Sequence, residues 1–239
     1  MTGFQTVVSG DISLHSGDPD CDAAHAALLN VLVKLGTPFI GPTETISLSQ
    51  QGNLGEFISF HIAQKLYPPT THRLFSGNAL KPLSRISGAG LDLVYLYFDT
   101  VDPSKDLMYV QEIKTTIASN LNYFDQLKAD YKKLFAIDPN LTLHSRVQDI
   151  QNILEYQFGE FSYSTRIAAL AGVTPAKCAK VRLLPTGISS TGVGDPEKKL
   201  TAIRSSMTAW GWPQANIKPW SIVMSDLDDR LTRMARGLP

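Results

Sequence analysis

The runs LDLVYLYF at 91–98 and LMYVQEIKT at 107–115 decide the fold of this chain. The first is dense in Leu, Val, Tyr and Phe and follows the turn-forming Gly88-Ala89-Gly90, the pattern of a short buried strand. The second is an apolar run interrupted by charges. Between them, residues 99–106 hold Thr100, Asp102, Pro103, Ser104 and Lys105, which is turn chemistry. Two antiparallel neighbours joined by a loop are expected.

Chemistry concentrates in the second run. A period of two puts Glu112 and Lys114 on one face and turns Ile113 to the other. A register that sets Asp92 opposite Glu112 brings two carboxylates within reach of one cation. Such a pair in an apolar hairpin repels and loses hydration unless a cation or a shared proton intervenes. Magnesium answers that need: it takes oxygen ligands, keeps several waters and sits between one or two carboxylates and substrate phosphates. Lys114 would then orient or deprotonate an attacking water. The competing structural reading is an exposed edge strand with a Glu112–Lys114 surface ion pair, and Asp92 capping the glycine turn before it.

Glu-x-Lys alone is weak evidence, because Asp130-Tyr131-Lys132 and Glu197-Lys198-Lys199 occur inside helical segments. There the acid and the lysine lie two helical positions apart and point to different faces.

Helical periodicity runs over Pro19–Leu35, and 37–51 reads as a loop. A second helix, Asn53–Leu66, ends at Tyr67-Pro68-Pro69 and carries Glu56 in its first turn, flanked by Ser59, Phe60 and Ala63. An acid there either complements the helix dipole or serves the carboxylate pair. Beyond the hairpin, Asn120–Phe135 is helical, as are Ser145–Phe158 and, more weakly, Phe161–Gly172. Lys180–Leu184 opens a third strand. A helix follows, with Asp195 as N-cap, Pro196 at its first position and Gly211 as stop. A strand over Lys218–Met224 and a helix from Ser225 close the chain. This order predicts one α/β domain over 1–239, a mixed sheet flanked by helices. Residues 1–50 form an N-terminal helical extension, 51–135 the core motif region, and 136–239 the remaining helices and strands.

The chain balances 22 Lys+Arg against 22 Asp+Glu, so no net field draws it onto nucleic acid, and local patches must do so. Trp210, Trp212 and Trp220 are either a base-stacking platform or core. No apolar run reaches the roughly 18 residues that span a bilayer, and the start shows no signal-peptide pattern, so a cytoplasmic location is expected. Cys21 and Cys178 lack the spacing of zinc or dithiol sites and are expected as thiols. His61, His72 and His144 share no metal-ligand spacing.

A Glu on a helix, an Asp on a strand, and Glu-x-Lys on the next strand followed by a helix resembles the PD-(D/E)xK, or restriction-endonuclease-like, nuclease superfamily, over Gly55 to about Phe135. The resemblance implies a restriction-endonuclease-like mixed β-sheet and Mg2+- or Mn2+-dependent hydrolysis of DNA. It makes Asp92 and Glu112 metal ligands, Lys114 the catalytic lysine, Glu56 the helical acid, and the Ile113 carbonyl a further ligand. The chain departs from the pattern in having Leu91 where the family has proline. A family subset spaces Gln and Tyr by four on the following helix, whereas Gln126 and Tyr131 are five apart. Gly52 to Glu56, Gly90-Leu91-Asp92-Leu93 and Glu112-Ile113-Lys114 also look like nuclease subunits of bacterial anti-phage systems, including the Hachiman type that works beside a helicase. That implies a helicase or other defence subunit as partner. A homodimer would suit double-strand cutting. A catalytically silent DNA-binding or assembly module of the same fold, and an unrelated α/β interaction domain, are the alternatives.

Overall fold

A computed structural model of the chain describes residues 5–9, 11–16, 21–33, 38, 40–67, 72–76, 92–117, 122–133, 152, 155, 163–170 and 179–238. In chain order the elements are β1 (Gln5–Ser9), β2 (Ile12–Ser16), α1 (Cys21–Val33), α2 (Leu48–Leu66), β3 (His72–Ser76), β4 (Leu93–Tyr97), β5 (Leu107–Gln111), β6 (Ile113–Thr116), α3 (Asn122–Lys133), α4 (Ser164–Ala168), β7 (Val181–Leu183), β8 (Thr186–Ser190), α5 (Pro196–Ala209), β9 (Trp220–Met224) and α6 (Leu227–Ala235). The expected helix at Ser145–Phe158 lies outside the described residues except for 152 and 155, both helical.

The α/β class is as expected, but the described strands divide into two mixed sheets rather than one. The five-stranded sheet has the order β1-β2-β9-β8-β6 and the four-stranded one β3-β4-β5-β7. Three chain segments run from one sheet into the other. Gln111 ends β5 and Ile113 begins β6, Leu183 ends β7 and Thr186 begins β8, and Ile217 bridges Leu183 before β9 starts. The junctions coincide with Glu112, Leu184-Pro185 and Lys218-Pro219, and proline offers no N–H to continue a ladder. Hydrogen bonds still cross the junction: the Leu184 N–H donates to the Val110 carbonyl, Thr186 to Glu112, Lys218 to Leu183 and Trp220 to Pro185.

Helices cover both faces. Val94, Leu96, Met108 and Val110 pack with Phe124, Leu127 and Tyr131 of α3 and with Leu200, Ile203 and Met207 of α5. Leu93, Tyr95, Ile113 and Ile188 pack on the other side with Leu28 of α1, Ile58 and Ile62 of α2 and Leu231 of α6. The alternation of one strand thus divides the core in two, as a sheet buried on both faces requires.

Several boundaries differ from expectation for identifiable reasons. α2 begins at Leu48, inside the expected loop, because Ser47 and Gln50 form a capping box: the Gln50 N–H donates to Ser47 Oγ at 3.3 Å, and the Ser47 N–H donates to Gln50 Oε1 at 2.7 Å. The first 50 residues are not purely helical, since β1 and β2 form a hairpin whose second strand pairs antiparallel with β9. β3 and β8 also lack a counterpart in the sequence reading. β8 contains Gly187, which breaks the usual strand composition because a Cβ there would stand 2.7 Å from the Tyr123 ring. α5 keeps its expected Asp195 cap, with the Lys198 N–H donating to Asp195 Oδ1 at 3.1 Å. No described helix is long and apolar enough to cross a membrane.

Candidate functional site

The antiparallel β4–β5 ladder pairs Leu93 with Gln111 and Val94 with Val110. One step further along the same register sets Asp92 opposite Glu112, just where the chain leaves β5 for β6. Asp92 and Glu112 continue the Val94 and Val110 parity, so both lie toward α3, while Ile113 is buried with the α2 side. Lys114 returns to the α3 side, where its Nζ lies 2.8 Å from Asp130 Oδ2. The tertiary structure therefore brings Asp92, Glu112 and Lys114 together on one face.

The two strand ends are tied reciprocally. The Ile113 N–H donates to Asp92 Oδ2 at 2.7 Å, and the Asp92 N–H hydrogen-bonds the Glu112 carboxylate. Thus the backbone partner of Asp92 lies across the hairpin. Because the N–H and C=O of one strand residue point to the same side, the Ile113 carbonyl faces the same edge as Asp92. Among the described residues β6 is the outer strand of its sheet.

Glu112 is 5% exposed. Burial holds its carboxyl well above the usual carboxylate range, the neighbouring charges of Asp92 and Asp130 add to the rise, and Lys114 opposes it. Burial alone would lower the Lys114 ammonium, but the Asp130 hydrogen bond and the charges of Asp92, Asp130 and Glu112 outweigh it and raise the pKa. Lys114 is therefore held as a cation, and Glu112 is a carboxyl short of positive charge.

Tyr131 of α3 repairs the break in the ladder. Its hydroxyl donates to the Val110 carbonyl at 3.1 Å and accepts the Glu112 N–H at 3.2 Å. Complete burial, followed by the nearby Glu112 charge, pushes the phenol well above its ordinary range, so it stays protonated.

Asp130 and Tyr131 are the site residues that the sequence reading set aside. The tripeptide 130–132 does split across helix faces, and Lys132 is exposed, yet its acid and its tyrosine both reach the segment of Glu112 and Lys114. A signal was present: Phe124, Leu127 and Tyr131 form one buried stripe, so the single hydroxyl in that stripe needs a partner inside.

Glu56 lies in the third turn of α2, because the helix starts at Leu48, so complementing the free N–H groups of a first turn does not explain it. Its predecessor Gly55 packs on β6 so closely that a Cβ there would meet Thr115 Oγ1 at 1.8 Å. α2 therefore crosses β6 at Thr115, on the face opposite Lys114, and Glu56, partly exposed, follows at once in the chain, so the structure does not place its helix on the side of Asp92, Glu112 and Lys114.

The donors around Asp92 and Glu112 are all oxygens: two carboxylates and the Ile113 carbonyl. That set fits magnesium or manganese, which need only one or two carboxylates and complete their shell with water and phosphate oxygens. The electron-pair chemistry fits too, since a buried carboxyl raised by a neighbouring carboxylate gains from a hard cation. Among the described residues no cluster of three or more His, Cys, Asp or Glu side chains forms an all-protein cage. Trp212 and Trp220 are buried and offer no stacking surface.

In comparisons with protein-family models, with curated proteins and with solved structures, no family, protein or structure matched the chain.

Proposed function

We propose that the protein is a metal-dependent nuclease that hydrolyses DNA phosphodiester bonds, with a restriction-endonuclease-like core formed by α2, β4, β5–β6, α3 and β7–β8. The observation that carries this is the placement of Asp92 beside buried Glu112 at the sheet junction, with Lys114 on the same face. An oxygen-only pair of this kind is costly for folding and suited to a divalent cation.

Asp92 and Glu112, with the Ile113 carbonyl, would hold Mg2+ or Mn2+. The cation, when bound, supplies charge stabilisation for the phosphate and an acidified water. Fixed backbone links would keep Asp92 and Glu112 in place: the Ile113 N–H holds Asp92, and Tyr131 holds the Glu112 main chain. Lys114, kept cationic, faces the scissile phosphate and orients the attacking water. Glu56 takes no assigned part, since α2 crosses β6 on the face opposite Lys114. Neutral net charge leaves the chain without long-range attraction to DNA, so a helicase or other defence-system subunit, or a second copy of the chain, would bring the substrate.

The test is to incubate the purified chain with supercoiled plasmid and with single-stranded DNA, in magnesium, manganese or chelator, beside Glu112→Ala and Lys114→Ala proteins of verified fold. Cutting that needs metal and drops at least about 100-fold in both variants supports the nuclease. Equal cutting by wild type and variants overturns the site. Metal binding without cutting by the wild type favours a silent DNA-binding or assembly module.

A further inference from the structure

Lys114 is a long, flexible cation next to the Asp92 and Glu112 carboxylates, whose charges act on it. Unrestrained, its ammonium would settle on Asp92 and Glu112, because attraction between opposite charges is strong in a partly dry site. It would then occupy the place of a divalent ion. The structure shows a different arrangement. Nζ is 2.8 Å from Asp130 Oδ2, with the Lys114 and Asp130 side chains 27% and 26% exposed. Asp92 and Glu112 act on Lys114 through charge, and Asp130 through a hydrogen bond.

Asp130 is well placed for this work because α3 is fixed against the junction. Phe124, Leu127 and Tyr131 are buried in the core, and the Tyr131 hydroxyl bonds both Val110 and Glu112 one residue further along the helix. Asp130 also does not complete a three-acid cage with Asp92 and Glu112 among the described residues. Its position suits a partner for the lysine rather than a ligand for the ion.

We propose that Asp130 is a positioning residue: it holds the Lys114 ammonium to one side, so that the lysine does not take the place of a divalent cation at Asp92 and Glu112. The inference rests on the metal-centre reading above.

The experiment is a calorimetric titration of the full, metal-free chain with Mn2+, for wild type, Asp130→Asn, Lys114→Met and the double variant, with Asp130→Glu as the conservative rescue and circular dichroism to verify folding. Loss of a residue that orients a metal site from outside it weakens affinity by about tenfold or more, and Asp130→Asn is expected in that range. Lys114→Met binds at least as well as wild type. The double variant returns to the level of Lys114→Met, because no ammonium remains to fall onto the carboxylates. Asp130→Glu stays near wild type. The decisive quantity is the coupling: Lys114→Met must gain much more in the Asp130→Asn background than in the wild type.

Additive effects would show simple charge summation and overturn the proposal. A double variant that stays weak would make Asp130 a ligand or a folding element and overturn it as well. Equal Mn2+ affinity in wild type and Asp130→Asn removes the positioning role while leaving the metal centre standing. A wild type that binds no Mn2+, or a Glu112→Ala protein that binds it as tightly as wild type, removes the metal centre and this inference with it.

Discussion

Tyr131→Phe isolates the bond that closes the break between β5 and β6. Tyr131 is fully buried, and its hydroxyl accepts the Glu112 N–H at 3.2 Å and donates to the Val110 carbonyl at 3.1 Å. The substitution keeps the ring and its packing and removes one oxygen. Val110 loses little, since its carbonyl still accepts the Leu184 N–H at 2.9 Å. The Glu112 N–H loses its partner in the interior, where water does not replace it. An orphaned buried donor costs about 1–3 kcal/mol, so a loss of about 2 kcal/mol is expected. For a domain of this size that lowers Tm by about 4–8 °C. Urea unfolding followed by tryptophan fluorescence, with a thermal melt by circular dichroism, reads both quantities. The m-value should not change, because the surface exposed on unfolding is the same. A loss under about 0.5 kcal/mol, well below the cost of an unpaired buried donor, would refute the idea that the hydroxyl satisfies the interrupted ladder. A changed m-value would refute the claim that packing is preserved.

Gly55→Ala would press a methyl group against Thr115, 1.8 Å from its Oγ1 and 3.1 Å from its Cβ. Overpacking of this kind costs about 1–3 kcal/mol; urea midpoints should show that Thr115→Ala in the same chain recovers most of it, and no recovery would mean that α2 does not cross β6 there. His72 packs against the rings of Tyr67, Tyr97 and Tyr109, and burial pushes its pKa down from 6.5 to about 4. Between those values the unfolded chain binds a proton that the folded chain refuses, so stability is full above pH 6.5 and falls as the pH drops through the window. Solvent screening of a partly exposed ring reduces the effect to about 1–2 kcal/mol. Unfolding free energies measured across this range should slope upward with pH in wild type and flatten in His72→Phe, whereas parallel profiles would contradict it.

The hairpin was legible because its two runs carry local signals of opposite kinds, dense apolar strands and a Pro-Ser-Lys turn. Its register was a premise rather than a reading: nothing local fixes which residues face each other, and the observed Leu93–Gln111 ladder is what extends to Asp92 opposite Glu112. α5 announced itself through Asp195, Pro196 and Gly211. β1, β2, β3 and β8 did not, since five-residue strands such as QTVVS and TGISS gain stability from neighbours distant in sequence. Asp130 was hidden for a related reason. Helical spacing says that it diverges from Lys132, but it cannot say which strand the helix face will meet.

The sequence by itself determined the alternation that puts Glu112 and Lys114 on one side of a strand, because side-chain direction in a strand follows from a period of two. It also determined the buried stripe of α3, because helical spacing of apolar residues fixes a face. Only the tertiary structure decided that the strand bends out of its ladder at Glu112, that the break is closed by Tyr131, and that Asp130 takes the Lys114 ammonium. Those features depend on how a helix packs across a junction shared by three non-adjacent chain segments. Such contacts are settled by burial and hydrogen-bond satisfaction over the whole core, which no local stretch of residues encodes.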